Sequence, residues 1–179
     1  MADIGLTGYD MIAETVTGGT PAPVIWSLAP ARTSYVCVLA PQRRTRVTRI
    51  YTEYPHLTQA WLRRSRLFGR ADIVTLHGSI EGVVALDDQS AGVLLVTSGE
   101  TAQANGLDMC LPLVATDLCL VAYRQALEEV AESSILGRLD LDTLPILELP
   151  EFCRVSALHG PLLHRLAQAG TGACPPPDW

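Results

Sequence analysis

AGVLLVTSGETAQANGL, residues 91–107, is the stretch whose reading decides the fold. Val93 to Val96 is a short apolar run of β-branched and leucine side chains, the pattern of a buried strand. It breaks into Thr97, Ser98, Gly99, Glu100 and Thr101. A short helical pattern follows and stops at Asn105-Gly106, where glycine suits the left-handed position past a helix end. A strand that feeds a glycine-containing loop into a helix start aims unpaired N–H groups and the positive helix end at one point. That is a place to hold a phosphate. A capped helix alone is the other reading, since Thr97 and Glu100 have the spacing of a Thr-x-x-Glu capping box.

Working outward, strand-like segments are expected at residues 2–8, 34–39, 46–52, 72–76, 109–114 and 117–122. Helical patterns lie at 9–16, at 54–67 with Pro55 favoured in the first turn, at 80–86 and at 123–135. Residues 17–30, rich in Gly, Thr and Pro, read as a connection. Residues 139–149 are broken by Pro and Asp, 156–169 read as a helix interrupted near Pro161, and the tail 170–179 as frayed. Strands alternating with helices predict an α/β fold with a largely parallel sheet. The first strand opens the chain, so its neighbours must come from elsewhere.

Composition narrows the function classes. The chain has 179 residues, 48% of them hydrophobic, which suffices for a real core. No apolar run is long enough to span a bilayer, and the first residues lack the features of a signal peptide. A cytoplasmic location without membrane contact is the expectation. Five scattered cysteines (Cys37, Cys110, Cys119, Cys153, Cys174) without a C-x-x-C read as reduced and mostly structural. The formal charge of −6 disfavours nucleic-acid binding. Every basic side chain is arginine, and Arg43, Arg44, Arg46, Arg49, Arg63, Arg64, Arg66 and Arg70 crowd one region. That crowding is either a solvated face or a steering field for a phosphorylated ligand.

Four segments in order resemble the ATP phosphoribosyltransferase family, the first enzyme of histidine biosynthesis. ADIGLTGYD is similar to its Ala-Asp-Leu-Gly-Ile-Thr-Gly-x-Asp, and RIYTEYPHLTQAWL to its Arg/Lys-Ile-Ala-Thr-x-Tyr-Pro-x-Leu segment. LHGSIEG resembles its Gly-Ser-Val-Glu turn. LVTSGETAQANGL resembles its Leu-Val-Ser-Thr-Gly-x-Thr-Leu-x-Ala-Asn-Gly-Leu loop for phosphoribosyl diphosphate. The matches cover about residues 2–123.

The resemblance implies a two-lobed fold like type II periplasmic binding proteins. Residues 1–34 and 109–179 would form an incomplete first lobe, and residues 35–108 the second lobe with the loop. It implies transfer of phosphoribosyl to N1 of the adenine of ATP or a related base, with Mg²⁺ as cofactor and pyrophosphate released. Thr97, Ser98, Gly99, Glu100 and Thr101 would cradle the 5-phosphate. Glu81 and the Gly78-Ser79 turn would line the ribose and diphosphate side, and Arg49 and Tyr54 the nucleotide side. No protein-built metal site and no catalytic acid or base is assigned. A homo-oligomer or a partner subunit is expected, because the family carries one more βαβ portion before ADIGLTG. Met1 stands where the family has a small apolar residue, often Val, so either a native product extending upstream or a truncated ancestral gene is expected as the origin of this start.

The sequence departs from the family at two strand acids, where Ser90 and Leu94 stand, and at Glu100, a carboxylate inside a phosphate loop. An acid at those strand positions could hold ribose hydroxyls or a Mg²⁺-bound water, and leucine can do neither. Three readings stay open: an active phosphoribosyltransferase, a non-catalytic ligand-sensing or partner subunit of the same fold, and a small-molecule receptor domain. His56, His77, His159 and His164 lack metal-ligand spacing. Cys37 and Cys119 read as inert buried thiols.

Overall fold

The computed structural model describes residues 4–28, 34–42, 46–63, 68, 70–116, 118–123 and 126. The expected helix at 123–135 lies almost wholly outside these residues. So do the segments at 139–149 and 156–169, the tail, His159, His164, Cys153, Cys174, Arg43, Arg44, Arg64 and Arg66.

Among the described residues, twelve elements follow one another. The first half holds β1 (Ile4–Gly8), α1 (Tyr9–Thr17), β2 (Val24–Ser27), β3 (Ser34–Pro41), β4 (Arg49–Thr52) and α2 (Pro55–Leu62). The second half holds β5 (Asp72–Thr75), α3 (Ile80–Ala85), β6 (Ser90–Val96), α4 (Glu100–Ala104), β7 (Leu107–Thr116) and β8 (Leu118–Ala122). They build a three-stranded sheet in the order β1-β8-β2 and a five-stranded sheet in the order β5-β4-β6-β3-β7. The α/β expectation holds.

The largely parallel sheet does not. Among the described residues parallel pairing is confined to β4 with β5 and β4 with β6, while β3 pairs antiparallel with both β6 and β7. The smaller sheet is antiparallel throughout. The cause is insertion. Helix α4 links β6 to β7, which run the same way, but β3 lies between them and pairs against both. Helix-linked strands are parallel without being neighbours. The second difference is β2, hidden in the connection at 17–30. Ile25 and Trp26 dock it on β8, and Pro23 can precede an edge strand because no ladder bond is lost there.

Alternation along β3 shows why the larger sheet is buried on both faces. Val36, Val38 and Ala40 join Ile50, Ala91 and Val93 beneath α1 and α2, with Leu57 and Trp61 packed in the same cluster. Tyr35, Cys37 and Leu39 join Leu94 and Val96 on the other face, against Ile80 and Val84 of α3 and Ala102 of α4. This gives a helix–sheet–helix sandwich. Helix α1 packs on α2, and its cluster includes Ile25 and Cys119 of the smaller sheet, so the two sheets share one core.

Cys37 and Cys119 are buried thiols, as read from their apolar strands. Burial pushes the Cys37 thiol far above its ordinary value, so little thiolate forms while the chain is folded. Iodoacetamide at mildly alkaline pH is therefore expected to leave Cys37 unmodified in the native protein and to label it in denaturant. Mass spectrometry of the Cys37 peptide reads the result, and native labelling would contradict the burial. No helix among the described residues is long and apolar enough to cross a membrane.

Candidate functional site

The C-terminal ends of β4, β5 and β6 meet on one edge of the larger sheet, with Thr52 in register with both Thr75 and Val93. From that edge come the β4–α2 junction, the β5–α3 turn and the loop from β6 into α4. Open parallel sheets place ligand sites at such edges.

In the loop after β6, Gly99 takes a left-handed backbone at φ 75° and is the residue that opens α4. Thr97, Ser98, Glu100 and Thr101 are exposed around it, while Gly99 itself is buried. The capping box is not formed. Gly99, not Thr97, is the cap, and no side chain caps the helix. Thr97 Oγ1 instead shares a 2.8 Å hydrogen bond with Ser34 Oγ at the start of β3. The Glu100 N–H donates to Ser98 Oγ at 3.4 Å, a long contact. At the far end of α4, Asn105 Nδ2 donates to the Thr101 carbonyl at 2.9 Å, and Gly106 is left-handed at φ 68°, as its position after a helix requires.

The β5–α3 turn repeats the device. Gly78 and Ser79 are consecutive left-handed residues at φ 73° and φ 56°. A serine held there stores about 1 kcal/mol of strain, which its surroundings must offset. Part of the offset is Glu53, whose Oε1 accepts the Gly78 N–H at 2.8 Å. Glu81 sits half-buried in the first turn of α3. Glu53 escaped the sequence reading although it lies inside the quoted TEYP segment. The signal was its position directly after a parallel strand, beside the chosen Tyr54.

Of the two residues expected at the nucleotide side, Arg49 stands far from the loop, while Tyr54 lies buried at the β4–α2 junction. Arg49 begins β4 opposite Ser90, which begins β6, so the seven residues of β6 separate it from Thr97 by roughly 20 Å. Its guanidinium meets Asp87 at 3.7 Å and donates to the Tyr51 hydroxyl at 3.3 Å. Tyr54 is 3% exposed, and its hydroxyl donates to Asp10 Oδ2 at 2.7 Å. Burial, and then the Asp10 carboxylate, push its phenol well above the ordinary tyrosine value.

The two replaced acids also separate. Ser90 is fully buried at the edge away from the loop, donating to the Asp87 carbonyl at 2.8 Å, so position 90 cannot hold a ligand seated on residues 97–101. Leu94 is 6% exposed and packs with Ile80, Val84 and Val96. Among the described residues, no group of three or more His, Cys, Asp or Glu side chains could hold a metal ion. A cavity of about 320 Å³ lies elsewhere, between α1 and the smaller sheet, lined by Ile4, Gly5, Met11, Thr15, Pro23 and Tyr123.

Comparison with known proteins adds a family. A family model described as ATP phosphoribosyltransferase matches residues 1–140. ATP phosphoribosyltransferase from Leptospira biflexa is 33% identical over 134 residues, covering 70% of this chain and 61% of that protein. The enzyme of the same name from Acidithiobacillus ferrooxidans is 30% identical over 154 residues, covering 80% of this chain and 69% of that one. The one from Methanothermobacter thermautotrophicus is 28% identical, covering 70% of this chain and 44% of that one. The chain thus spans about half to two thirds of the length of these relatives. Among solved structures, a chain of the ATP phosphoribosyl transferase (HisG:HisZ) complex from Thermotoga maritima superposes with a TM-score of 0.59 at 25% identity. That match covers 76% of this chain and 67% of the other.

Proposed function

The chain belongs to the ATP phosphoribosyltransferase family, and from that premise we propose that Thr97, Ser98, Gly99, Glu100 and Thr101 cradle the 5-phosphate of phosphoribosyl diphosphate. The acceptor is ATP or a related base, and the setting is cytoplasmic. One observation carries the reading: two turns with left-handed backbone, at Gly78-Ser79 and at Gly99, open helices on the same sheet edge. Backbone N–H groups and hydroxyls bind the phosphate, since the five loop residues include no cation. Gly78, Ser79 and Glu81 line the ribose and diphosphate side. Catalysis is then positioning and charge stabilisation around an oxocarbenium-like carbon as pyrophosphate leaves. In the two-lobed reading, the β1-β8-β2 sheet belongs to the first lobe, and the nucleotide enters from its side.

The described residues do not fit a protein-held Mg²⁺. The strand position where an acid could serve it is Leu94, packed against Ile80 and Val84. Mg²⁺ is therefore proposed as an ion that the diphosphate brings with it.

The same leucine favours a second reading, a non-catalytic partner subunit that keeps the cradle. The Thermotoga maritima HisG:HisZ complex supports partnership as much as self-association. Calorimetric titration with phosphoribosyl diphosphate, with and without Mg²⁺, tests both. Saturable binding is expected, and Gly99→Asp should weaken it at least about tenfold, because a carboxylate joins the anion's site on a backbone that disfavours a side chain. Absence of binding by the wild-type chain, alone and with a candidate partner, overturns the reading. Binding without pyrophosphate release selects the partner-subunit alternative. Analytical ultracentrifugation reads the assembly, and a monodisperse monomer counts against the oligomer.

A further inference from the structure

We propose that Tyr54 is a positioning residue: with the two buried carboxylates of α1, it fixes where Glu53, and through it the Gly78-Ser79 turn, sits at the ligand-facing edge. The ligand-facing part rests on the function proposed above, and the mechanical part does not.

Helix α2 begins without a side-chain cap of its own, because its N-cap is Tyr54 and its first residue is Pro55. The next two N–H groups, of His56 and Leu57, are the ones an N-cap oxygen ordinarily satisfies. Here Glu14 does so from α1, accepting both at 2.8 Å, one on each carboxylate oxygen. Glu14 is 6% exposed, so these bonds are shielded from water and strengthened by the positive helix end. One turn earlier on α1, Asp10 takes the Tyr54 hydroxyl at 2.7 Å and the Thr116 hydroxyl at 2.5 Å. From the sheet side, Thr52 Oγ1 accepts the Tyr54 N–H at 2.8 Å and donates to the Val93 carbonyl at 2.8 Å. Thr58 Oγ1 adds a third bond to it at 3.2 Å, which uses the hydroxyl's full capacity.

Glu53 sits between these fixed points, with Thr52 locked on one side and Tyr54 on the other. Its backbone cannot slide without breaking buried bonds, and its carboxylate reaches the Gly78 N–H. Tyr54 meanwhile has no free hydroxyl and little surface with which to touch a nucleotide. Its place in the segment is explained by support, not contact.

The test uses Tyr54→Phe, which removes one oxygen, and Glu14→Gln, which puts an amide NH₂ against one of two N–H donors. The readout is the Gly78 amide resonance, which Glu53→Gln calibrates by weakening the same bond. Both variants are expected to move that resonance toward its position in Glu53→Gln while amides of β3 stay in place. Both should also raise the dissociation constant for phosphoribosyl diphosphate about fivefold. An unmoved Gly78 resonance, or shifts spread evenly over the larger sheet, overturns the proposal. Should Tyr54→Phe fail to fold, Glu14→Gln decides alone. If the wild-type chain binds no phosphoribosyl diphosphate, the function fails, and the Gly78 resonance still tests the positioning.

Discussion

Asp10→Ala should lower the unfolding free energy by about 3 kcal/mol, the sum of two buried hydroxyls left without acceptors at about 1–3 kcal/mol each, less the relief of a buried charge. Tyr54 and Thr116, at 3% and 7% exposure, cannot turn to water for compensation. For a chain of this size the melting temperature should fall by about 6–12 °C. Asp10→Asn is the informative companion. Its remaining oxygen can still serve one hydroxyl, so about half the loss should return. Gly8 makes the arrangement possible: a methyl group there would land on Asp10 Oδ1. Thermal denaturation followed by circular dichroism measures both variants. A loss within about 0.5 kcal/mol, the range of ordinary surface changes, would show that the network carries no stability.

That network also marks the boundary of what the sequence could disclose. The spacing of Met11, Ile12 and Val16 announces α1, and the apolar run from Val93 announces β6, since periodicity is written locally. Gly106 announces the end of α4 for the same reason. Asp10 closes the ADIGLTGYD motif, but neither it nor Glu14 discloses what it bonds, because their partners lie 42 or more positions away, at Tyr54, His56, Leu57 and Thr116. An acid on a helix reads as solvated until its partner is known. Adjacency of strands was hidden likewise: nothing local tells that β3 enters between β6 and β7. The resemblance placed Arg49 with Tyr54 in the nucleotide-side segment, and the four residues of β4 set the two at opposite ends of that strand. The ordered motifs point to the loop at residues 97–101, and the sheet sets which of their residues lie at the same edge.

Gly92→Val should be the most damaging single change on the opposite face. Gly92 lies in β6 directly under α3. A Cβ there would stand 3.0 Å from Leu94 Cδ2, 3.1 Å from Ile80 Cγ2 and 3.3 Å from Val84 Cγ2. Alanine would ask these neighbours to yield by tenths of an ångström. Valine adds two methyl groups beyond that Cβ, in a cluster where Ile80 and Val84 are 2% and 0% exposed. The strand preference of valine over glycine is about 1 kcal/mol at most. Overpacking costs about 1–3 kcal/mol and more where backbone must move. The net should be a loss of about 2 kcal/mol, read as a lower urea midpoint at unchanged slope. The larger consequence is positional. Ser79 caps α3, so a helix lifted off Gly92 carries the Gly78-Ser79 turn with it and stretches the Gly78–Glu53 bond. Affinity for phosphoribosyl diphosphate should therefore fall further than stability alone explains. Val84→Ala, which removes the Cγ2 that stands 3.3 Å from that Cβ, should restore part of both when combined with Gly92→Val. A coupling of about 0.5 kcal/mol or more would identify the seating of α3 on β6 as what sets the turn. Additive losses would mean that the turn holds its place without it.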